Sequence, residues 1–243
     1  MPRPPAPQVK PVAARGPSAG LIAGVVVLVV ALLGVLVWAA TRGGDLEAVG
    51  SSGTLPDGGG VSVGPGLDAD VPQVRIYEDP QCPWCGRLEN AIGEDLAELI
   101  EAGEVNVTFQ IMSFLDGGLG NDSSTRGANA MLCADDAGSF LPFHEELYGN
   151  MPASEGQGWS DEQLIGFGEQ AGIEGEALAQ FESCVADQTH AEYVQDMQQR
   201  ANEDGVSGTP TVFVDGEELP QEDLSRLLQE PGALREVLEA QGR

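Results

Sequence analysis

The 243 residues suffice for one domain with an insertion or for two small domains, and the formal charge of −28 is spread unevenly. The first 44 residues hold Arg3, Lys10, Arg15 and Arg42 and no acid, whereas the rest holds all 39 acids and no lysine. A body this acidic excludes nucleic acid as a partner and disfavours anionic lipid surfaces, because either polyanion would repel it.

In chain order, residues 1–20 are rich in Pro, Ala and Gly and predict a disordered cytoplasmic tail. Leu21 to Ala40 is an uninterrupted apolar run of twenty residues. As a helix it spans about 30 Å, one hydrocarbon core. Basic residues precede this run and acids follow Arg42. The positive-inside rule therefore predicts a single-pass anchor in the cell membrane, N-terminus cytoplasmic and body extracytoplasmic. The rival is a cleaved secretory signal with Val37-Trp38-Ala39 as a weak cleavage site, although the run exceeds a usual signal core. Residues 41–70 are rich in Gly, Ser, Asp and Pro and read as a flexible linker with a reach of roughly 30 Å. Val61 to Val63 adds a short edge strand.

From residue 71 the pattern is that of a folded domain. Val74 to Tyr77 is a short apolar strand. Trp84, Leu88, Ile92, Leu96 and Leu99 recur every three or four residues and predict a helix closed by Gly103. Val105, Val107, Phe109 and Ile111 alternate with polar residues, as in a strand with one buried face. Residues 121–204 predict five helices. The first runs from Ser123 to Asp136, and the second carries Phe140, Phe143, His144, Leu147 and Tyr148. The third opens on Ser160 with Gln163 three residues later, a capping box. The fourth, from Glu174, carries Phe181 and Cys184; the fifth carries Tyr193, Val194, Met197 and Ala201. Thr211 to Val214 is a strand, Asp215-Gly216 a hairpin turn, and Glu217 to Leu219 a return strand. Helices follow from Gln221 and again after Pro231.

The chemistry concentrates in Glu78-Asp79-Pro80-Gln81-Cys82-Pro83-Trp84-Cys85-Gly86-Arg87. Cys82 stands where a strand hands over to a helix, and the unpaired N–H groups and dipole of a helix N-terminus favour a thiolate. Pro83 suits the first helical turn. Cys85 lies one turn further in, within bonding reach of Cys82. The alternative for a C-x-x-C is half of a zinc site, which needs a second ligand pair. Cys133, Cys184, His144 and His190 do not make a compact set for it, so no metal and no cofactor is expected.

The stretches EDPQCPWCGRLE and GVSGTPTVFVDG, with the helical segment between them, resemble the DsbA-like thiol-disulfide oxidoreductases of the thioredoxin superfamily in their membrane-anchored form. The resemblance covers the chain from about residue 70 to its end. It implies an α/β thioredoxin fold with a core of 71–115 and 205–243, split by a helical insertion at 121–204 and preceded by one transmembrane helix. It implies Cys82 as an accessible nucleophile and Cys85 as the buried resolving thiol. Pro210 becomes a cis-proline facing the dithiol, and the backbone of Thr209 a contact for the substrate strand. Pro83 and Trp84 tune the redox properties, Trp84 also offering an apolar surface. Glu78 reads either as strand-end chemistry or as a proton relay to Cys85. Glu78 and Asp79 oppose a low Cys82 pKa if they lie near its sulfur.

Four cysteines allow three pairings. The expected set is a redox-active Cys82–Cys85 and a structural Cys133–Cys184 stapling the first and fourth insertion helices; two buried free thiols are the alternative to the staple. His144 reads as a structural histidine and His190 as a surface residue. The expected partners are cysteine-containing exported proteins as substrates and a membrane-bound reoxidising partner. A reductase or isomerase of the same fold, and a tethered chaperone or assembly factor, are the rival functions.

Overall fold

The computed structural model describes residues 53–230 and 232–241. The expected tail at 1–20 and anchor at 21–40 lie outside the described residues. Among the described residues, no helix is long and apolar enough to cross a membrane.

Six strands are present: Gly53–Thr54 (β1), Val61–Val63 (β2), Gln73–Glu78 (β3), Asn106–Ile111 (β4), Thr211–Val214 (β5) and Glu217–Glu218 (β6). They form one mixed sheet in the order β1-β2-β4-β3-β5-β6. The parallel pair β3–β4 is linked by a helix at Pro83–Glu101 (α1), as a parallel crossover requires. The antiparallel pair β3–β5 sets Tyr77 opposite Thr211, so the residues after β3 and those before β5 emerge at the same edge. That register brings the dithiol and the Thr209-Pro210 loop together. Between β5 and β6, Asp215 and Gly216 both take positive φ, the two-residue turn the sequence predicts.

α1 buries Leu88, Ile92, Leu96 and Leu99 of the stripe its periodicity predicts, together with Cys85 and Ile100, while Trp84, expected on the same stripe, is exposed. Each such side chain contributes about 1.5–3 kcal/mol of hydrophobic stabilisation. The helix ends in a Schellman motif: Gly103 N–H bonds the Ile100 carbonyl and Glu104 N–H the Leu99 carbonyl. Gly103 takes φ 68°, which glycine adopts without steric cost.

The insertion comprises helices at Phe114–Leu119 (α2), Ser123–Asp136 (α3), Phe140–Gly149 (α4), Asp161–Gln170 (α5), Gly175–Asp187 (α6) and Ala191–Glu203 (α7). Helices at Gln221–Gln229 (α8) and Ala233–Gln241 (α9) close the described chain. α5 opens on the expected capping box, with both Ser160 and Gln163 bonds formed. The sequence did not predict α2, because Gly117 and Gly118 sit in its middle and lower its intrinsic helicity. Its Asp116 accepts from Ser124 N–H, Thr125 N–H and Thr125 Oγ1, and so caps α3 from outside.

Two sequence expectations are corrected. Within the linker expected at 41–70, Val61–Val63 is the strand the sequence anticipates, but it is not at the edge, because Gly53–Thr54 pairs outside it and a 3-10 turn at Pro56–Gly58 joins the two. Tyr193 Oη bonds the carbonyls of Leu55 and Gly60 at 2.6 and 2.8 Å and ties this strap to α7. Gly58 makes the close approach possible; a Cβ there would lie 2.3 Å from the Asp196 carbonyl carbon. Strand β4, expected to expose its polar face, is buried at every residue. It lies inside the sheet, and its polar side chains are satisfied internally. Asn106 bonds Gly66 N–H and Gln73 Oε1, and Gln110 bonds the carbonyls of Gly58 and Met197.

Candidate active site

Cys82 is the N-cap of α1, with φ −74° and ψ 116°, and Pro83 fills the first helical position. The Cys82 carbonyl starts the helix by accepting from Cys85 N–H at 3.0 Å, and its own N–H bonds the Asp79 carbonyl at 2.8 Å. Both cysteines are free thiols. The Cys82 thiol donates to the Thr209 carbonyl at 3.3 Å. The Thr209–Pro210 peptide bond is cis, as the resemblance implies. Cys82, expected to be accessible, keeps only 6 % of its surface exposed, with the Thr209 carbonyl set against its sulfur.

The two thiols are driven in opposite directions. Cys82 is lowered to about 6, chiefly because the Cys85 thiol donates to its sulfur; burial opposes this, and the Cys85 and Trp84 N–H groups reinforce it. Cys85 is pushed well up, first by burial and then by the thiol and charge of Cys82 and the charge of Glu78. The sequence placed Glu78 and Asp79 as opponents of a Cys82 thiolate. In the structure the charge of Glu78 bears on Cys85 instead.

Glu78 is 3 % exposed and raised by burial, which His144 counteracts. His144 Nε2 lies 2.9 and 3.0 Å from the two Glu78 oxygens, and its Nδ1 lies 3.3 Å from Glu89 Oε2. Burial lowers its pKa, but the two carboxylates outweigh that and hold it up, to about 10. It is a satisfied buried histidine, as the sequence predicts, and its main partner is a residue of the dithiol motif.

Asp79 is fully buried and pushed up to about 7 by burial, against the bonds it accepts from Ser124 Oγ, Gln81 N–H and Leu115 N–H. Gln81 Nε2 lies within 3.0 Å of Asp116 Oδ1, Asn121 Oδ1 and Ser124 Oγ. Through Asp79 and Gln81 the loop before Cys82 is thus pinned to α2 and α3. Sequence reading missed Gln81, Asp116, Asn121 and Ser124. Their signal was chemical rather than periodic: polar side chains clustered in two segments that flank helix starts.

Beside Cys82 lies a groove of about 550 Å³ lined by Trp84, the 205–211 loop, Phe213 and the Leu224 and Leu228 side of α8. Trp84 is 53 % exposed, and the Arg87 guanidinium carbon lies 4.4 Å from its ring centroid, a cation–π contact. An exposed aromatic edge, the Phe213, Leu224 and Leu228 side chains and the half-buried chain around Pro210 form a mixed apolar and polar groove that suits an extended peptide.

Away from this site, Cys133 and Cys184 form the disulfide the sequence predicts, joining α3 to α6. His190, half-buried rather than freely exposed, pairs its Nε2 with Asp136 at 2.7 Å. Ligand atoms of Cys133, Cys184 and His190 lie within 4.8 Å of one another, but both sulfurs are committed to the disulfide.

A family model described as Thioredoxin matches residues 66–230. The chain is similar to the solved MdbA thiol-disulfide oxidoreductase from Actinomyces oris, at TM-score 0.66 and 20% identity, covering 79% of this chain and 92% of that one. It is similar to the corresponding MdbA from Corynebacterium diphtheriae, at TM-score 0.61 and 20% identity over 74% of this chain and 92% of that one. It also resembles the oxidised DsbA from Mycobacterium tuberculosis, at TM-score 0.55 and 24% identity over 72% and 92% of the two chains. At such identities the likeness is one of fold. A curated relative, the Na(+)/H(+) antiporter NhaA 1 of Salinispora arenicola (strain CNS-205), is 28% identical over 140 residues, which make up 58% of this chain and 19% of that protein. The chain therefore spans about a fifth of the length of that relative. With a matched family model over most of the chain, a dithiol at the N-terminus of α1 and a cis-proline against it, the chain belongs to the thioredoxin family.

Proposed function

We propose that this protein is a DsbA-type thiol-disulfide oxidoreductase that donates a Cys82–Cys85 disulfide to cysteine-containing exported proteins. The observation that carries the reading is the split between the two thiols: Cys82 is lowered to about 6 and Cys85 is raised. At pH 7 Cys82 is then mostly thiolate, so its reduced form is stabilised and its disulfide is readily given away. A substrate thiolate attacks Cys82 Sγ, Cys85 leaves with the electron pair, and a second substrate thiolate displaces Cys82. The substrate gains a disulfide and the dithiol is left reduced. The groove beside Trp84 and Pro210 takes the peptide around the substrate cysteine. The apolar run at 21–40 serves as a membrane anchor, the catalytic body lies outside the cytoplasm, and a membrane-bound partner reoxidises the dithiol. The solved MdbA chains similar to this one are described as thiol-disulfide oxidoreductases, which supports the reaction class.

The test is oxidative refolding of a reduced, unfolded substrate protein by the oxidised full chain in detergent, with the potential set by glutathione equilibration. A potential of about −120 to −180 mV and loss of activity in Cys82→Ser support a donor of disulfides. A potential near about −270 mV makes the protein a reductant. Retention of anti-aggregation activity by Cys82→Ser, with no redox turnover in the native chain, makes it a chaperone.

A further inference from the structure

Outside the active site, three side chains with metal-binding atoms meet where α3, α6 and α7 converge. Cys133 lies on α3, Cys184 near the end of α6, and His190 is the N-cap residue of α7. One ligand atom from each lies within 4.8 Å of the others. Cys133 is buried, whereas Cys184 and His190 are half-buried.

Polar groups of the kind that orient metal ligands surround these three. His190 Nε2 lies 2.7 Å from Asp136 Oδ2, which leaves Nδ1 as the ring nitrogen free to coordinate. The His190 backbone N–H donates to Asn129 Oδ1 at 2.8 Å. Asn129 Nδ2 reaches Cys133 Sγ at 3.5 Å and the Cys184 carbonyl at 3.3 Å, so one buried amide touches all three residues. A buried N–H aimed at sulfur does little for a disulfide, whose sulfurs are weak acceptors, and much more for a thiolate. Beyond Cys184 an open groove of about 480 Å³ carries Glu176 and Asp187. These carboxylates, set in an acidic body, draw cations toward the sulfur.

We propose that reduction of the Cys133–Cys184 staple opens a site for one thiophilic divalent cation, zinc by its chemistry, held by Cys133 Sγ, Cys184 Sγ and His190 Nδ1 with water in the fourth position. Two thiolates, one imidazole and an open position form a donor set that zinc takes, at about 2.3 Å to sulfur and about 2.0–2.1 Å to nitrogen. Tetrahedral angles at those lengths put the sulfurs about 3.8 Å apart and the nitrogen about 3.6 Å from each. The two cysteine Cα atoms stand 5.8 Å apart, so rotation of the side chains reaches that geometry while α3 and α6 keep their places. A dithiol reductant supplies two electrons and two protons, breaks the S–S bond and is itself left as a disulfide. The cation then displaces the two thiol protons to solvent. Oxidation releases the ion and closes the staple again, so the junction of α3 with α6 is crosslinked in either redox state. This site shares no residue with the dithiol and does not depend on the direction of exchange there.

The experiment uses the full chain in detergent with Cys82→Ser and Cys85→Ser, so that the dithiol cannot bind the probe. The staple is reduced with tris(2-carboxyethyl)phosphine, which takes oxygen from water to become the phosphine oxide, and two free thiols per chain are confirmed by titration. Co²⁺ is then added. The reduced chain should bind one Co²⁺, with thiolate-to-cobalt charge-transfer absorption in the near ultraviolet and tetrahedral bands in the red, both bleached by Zn²⁺. Zn²⁺ should raise the Tm of the reduced chain and leave that of the oxidised chain unchanged. His190→Ala should weaken Co²⁺ binding by at least about tenfold, and Asp136→Asn by about 10–100-fold. A chain with two free thiols but no thiolate–cobalt absorption overturns the site. Equal affinity in His190→Ala overturns it as well, as does equal binding by the oxidised chain, which marks surface carboxylates. Loss of helical circular dichroism on reduction that Zn²⁺ does not restore also overturns it.

Discussion

The thiolate of Cys82 rests first on a proton donated by its own partner, so removing that donor is a direct test of the site. The Cys85 thiol is the largest cause holding Cys82 at about 6 rather than its ordinary 9.0. A hydrogen bond to a charged acceptor contributes about 1.5–3 kcal/mol, which is about one to two pH units in a titration midpoint. Cys85→Ala should therefore move the Cys82 midpoint from about 6 to about 7 or 8. Cys85→Ser, whose hydroxyl still donates, should stay closer to the native value. The assay is thiolate absorbance at 240 nm against pH, checked by the pH dependence of alkylation by iodoacetamide. An unchanged midpoint in Cys85→Ala, or a native midpoint near 9, refutes the reasoning. The same shift fixes a stability profile. The folded pKa lies below the unfolded one, so the thiolate stabilises the reduced fold fully above pH 9 and ceases to do so as pH falls through 6. This amounts to about 4 kcal/mol at the alkaline limit and about 1 kcal/mol at pH 7. Urea unfolding of the reduced chain should lose that increment in Cys82→Ser.

Removing the second disulfide with Cys133→Ala and Cys184→Ala opens a closure of 51 residues and should cost about 4 kcal/mol in the chain-entropy picture. Thermal melting should fall by about 8–16 °C while redox activity below the melt persists; an unchanged Tm would contradict the staple. Asp116→Ala removes the acceptor for Ser124 N–H, Thr125 N–H, Thr125 Oγ1 and Gln81 Nε2, and should lower stability by about 2–4 kcal/mol in urea titration. A loss below 1 kcal/mol would show the network to be dispensable. Trp84→Ala should raise KM for a protein substrate several-fold while leaving the rate with glutathione within about twofold, since only the longer substrate reaches the groove. Equal losses with both substrates would remove Trp84 from peptide binding.

Much of this molecule is legible in its residues because the governing interactions are local. The apolar stripe of α1 follows from a 3.6-residue period, the Ser160–Gln163 box from spacing, and the Asp215-Gly216 turn from the positive φ it needs. The position of Cys82 as helix N-cap follows from a strand, a C-P-x-C sequence and a helical pattern laid end to end. Errors arose where neighbours distant in sequence decide. Alternation in β4 looked like one wet face, but β2 and β3 flank the strand and 53–63 covers it, so Asn106 and Gln110 are satisfied inside the protein. The residues at 53–60 carry a linker's composition, and their order comes from Tyr193, more than a hundred positions away.

By itself the sequence placed Cys82 and Cys85 one turn apart at a helix start, because that motif is local, whereas the place of Thr209-Pro210 facing them came from the family resemblance. Tertiary structure alone decided what surrounds the dithiol. The β3–β5 register sets the Thr209 carbonyl against Cys82. The packing of α4 under α1 places His144 between Glu78 and Glu89, converting a histidine in an apolar helix into the centre of a buried charge line. Residues 66 positions apart in one case and 55 in the other share a few ångströms only because the core is dry and close-packed, and there a single carboxylate can move a thiol's pKa as no exposed charge in water would.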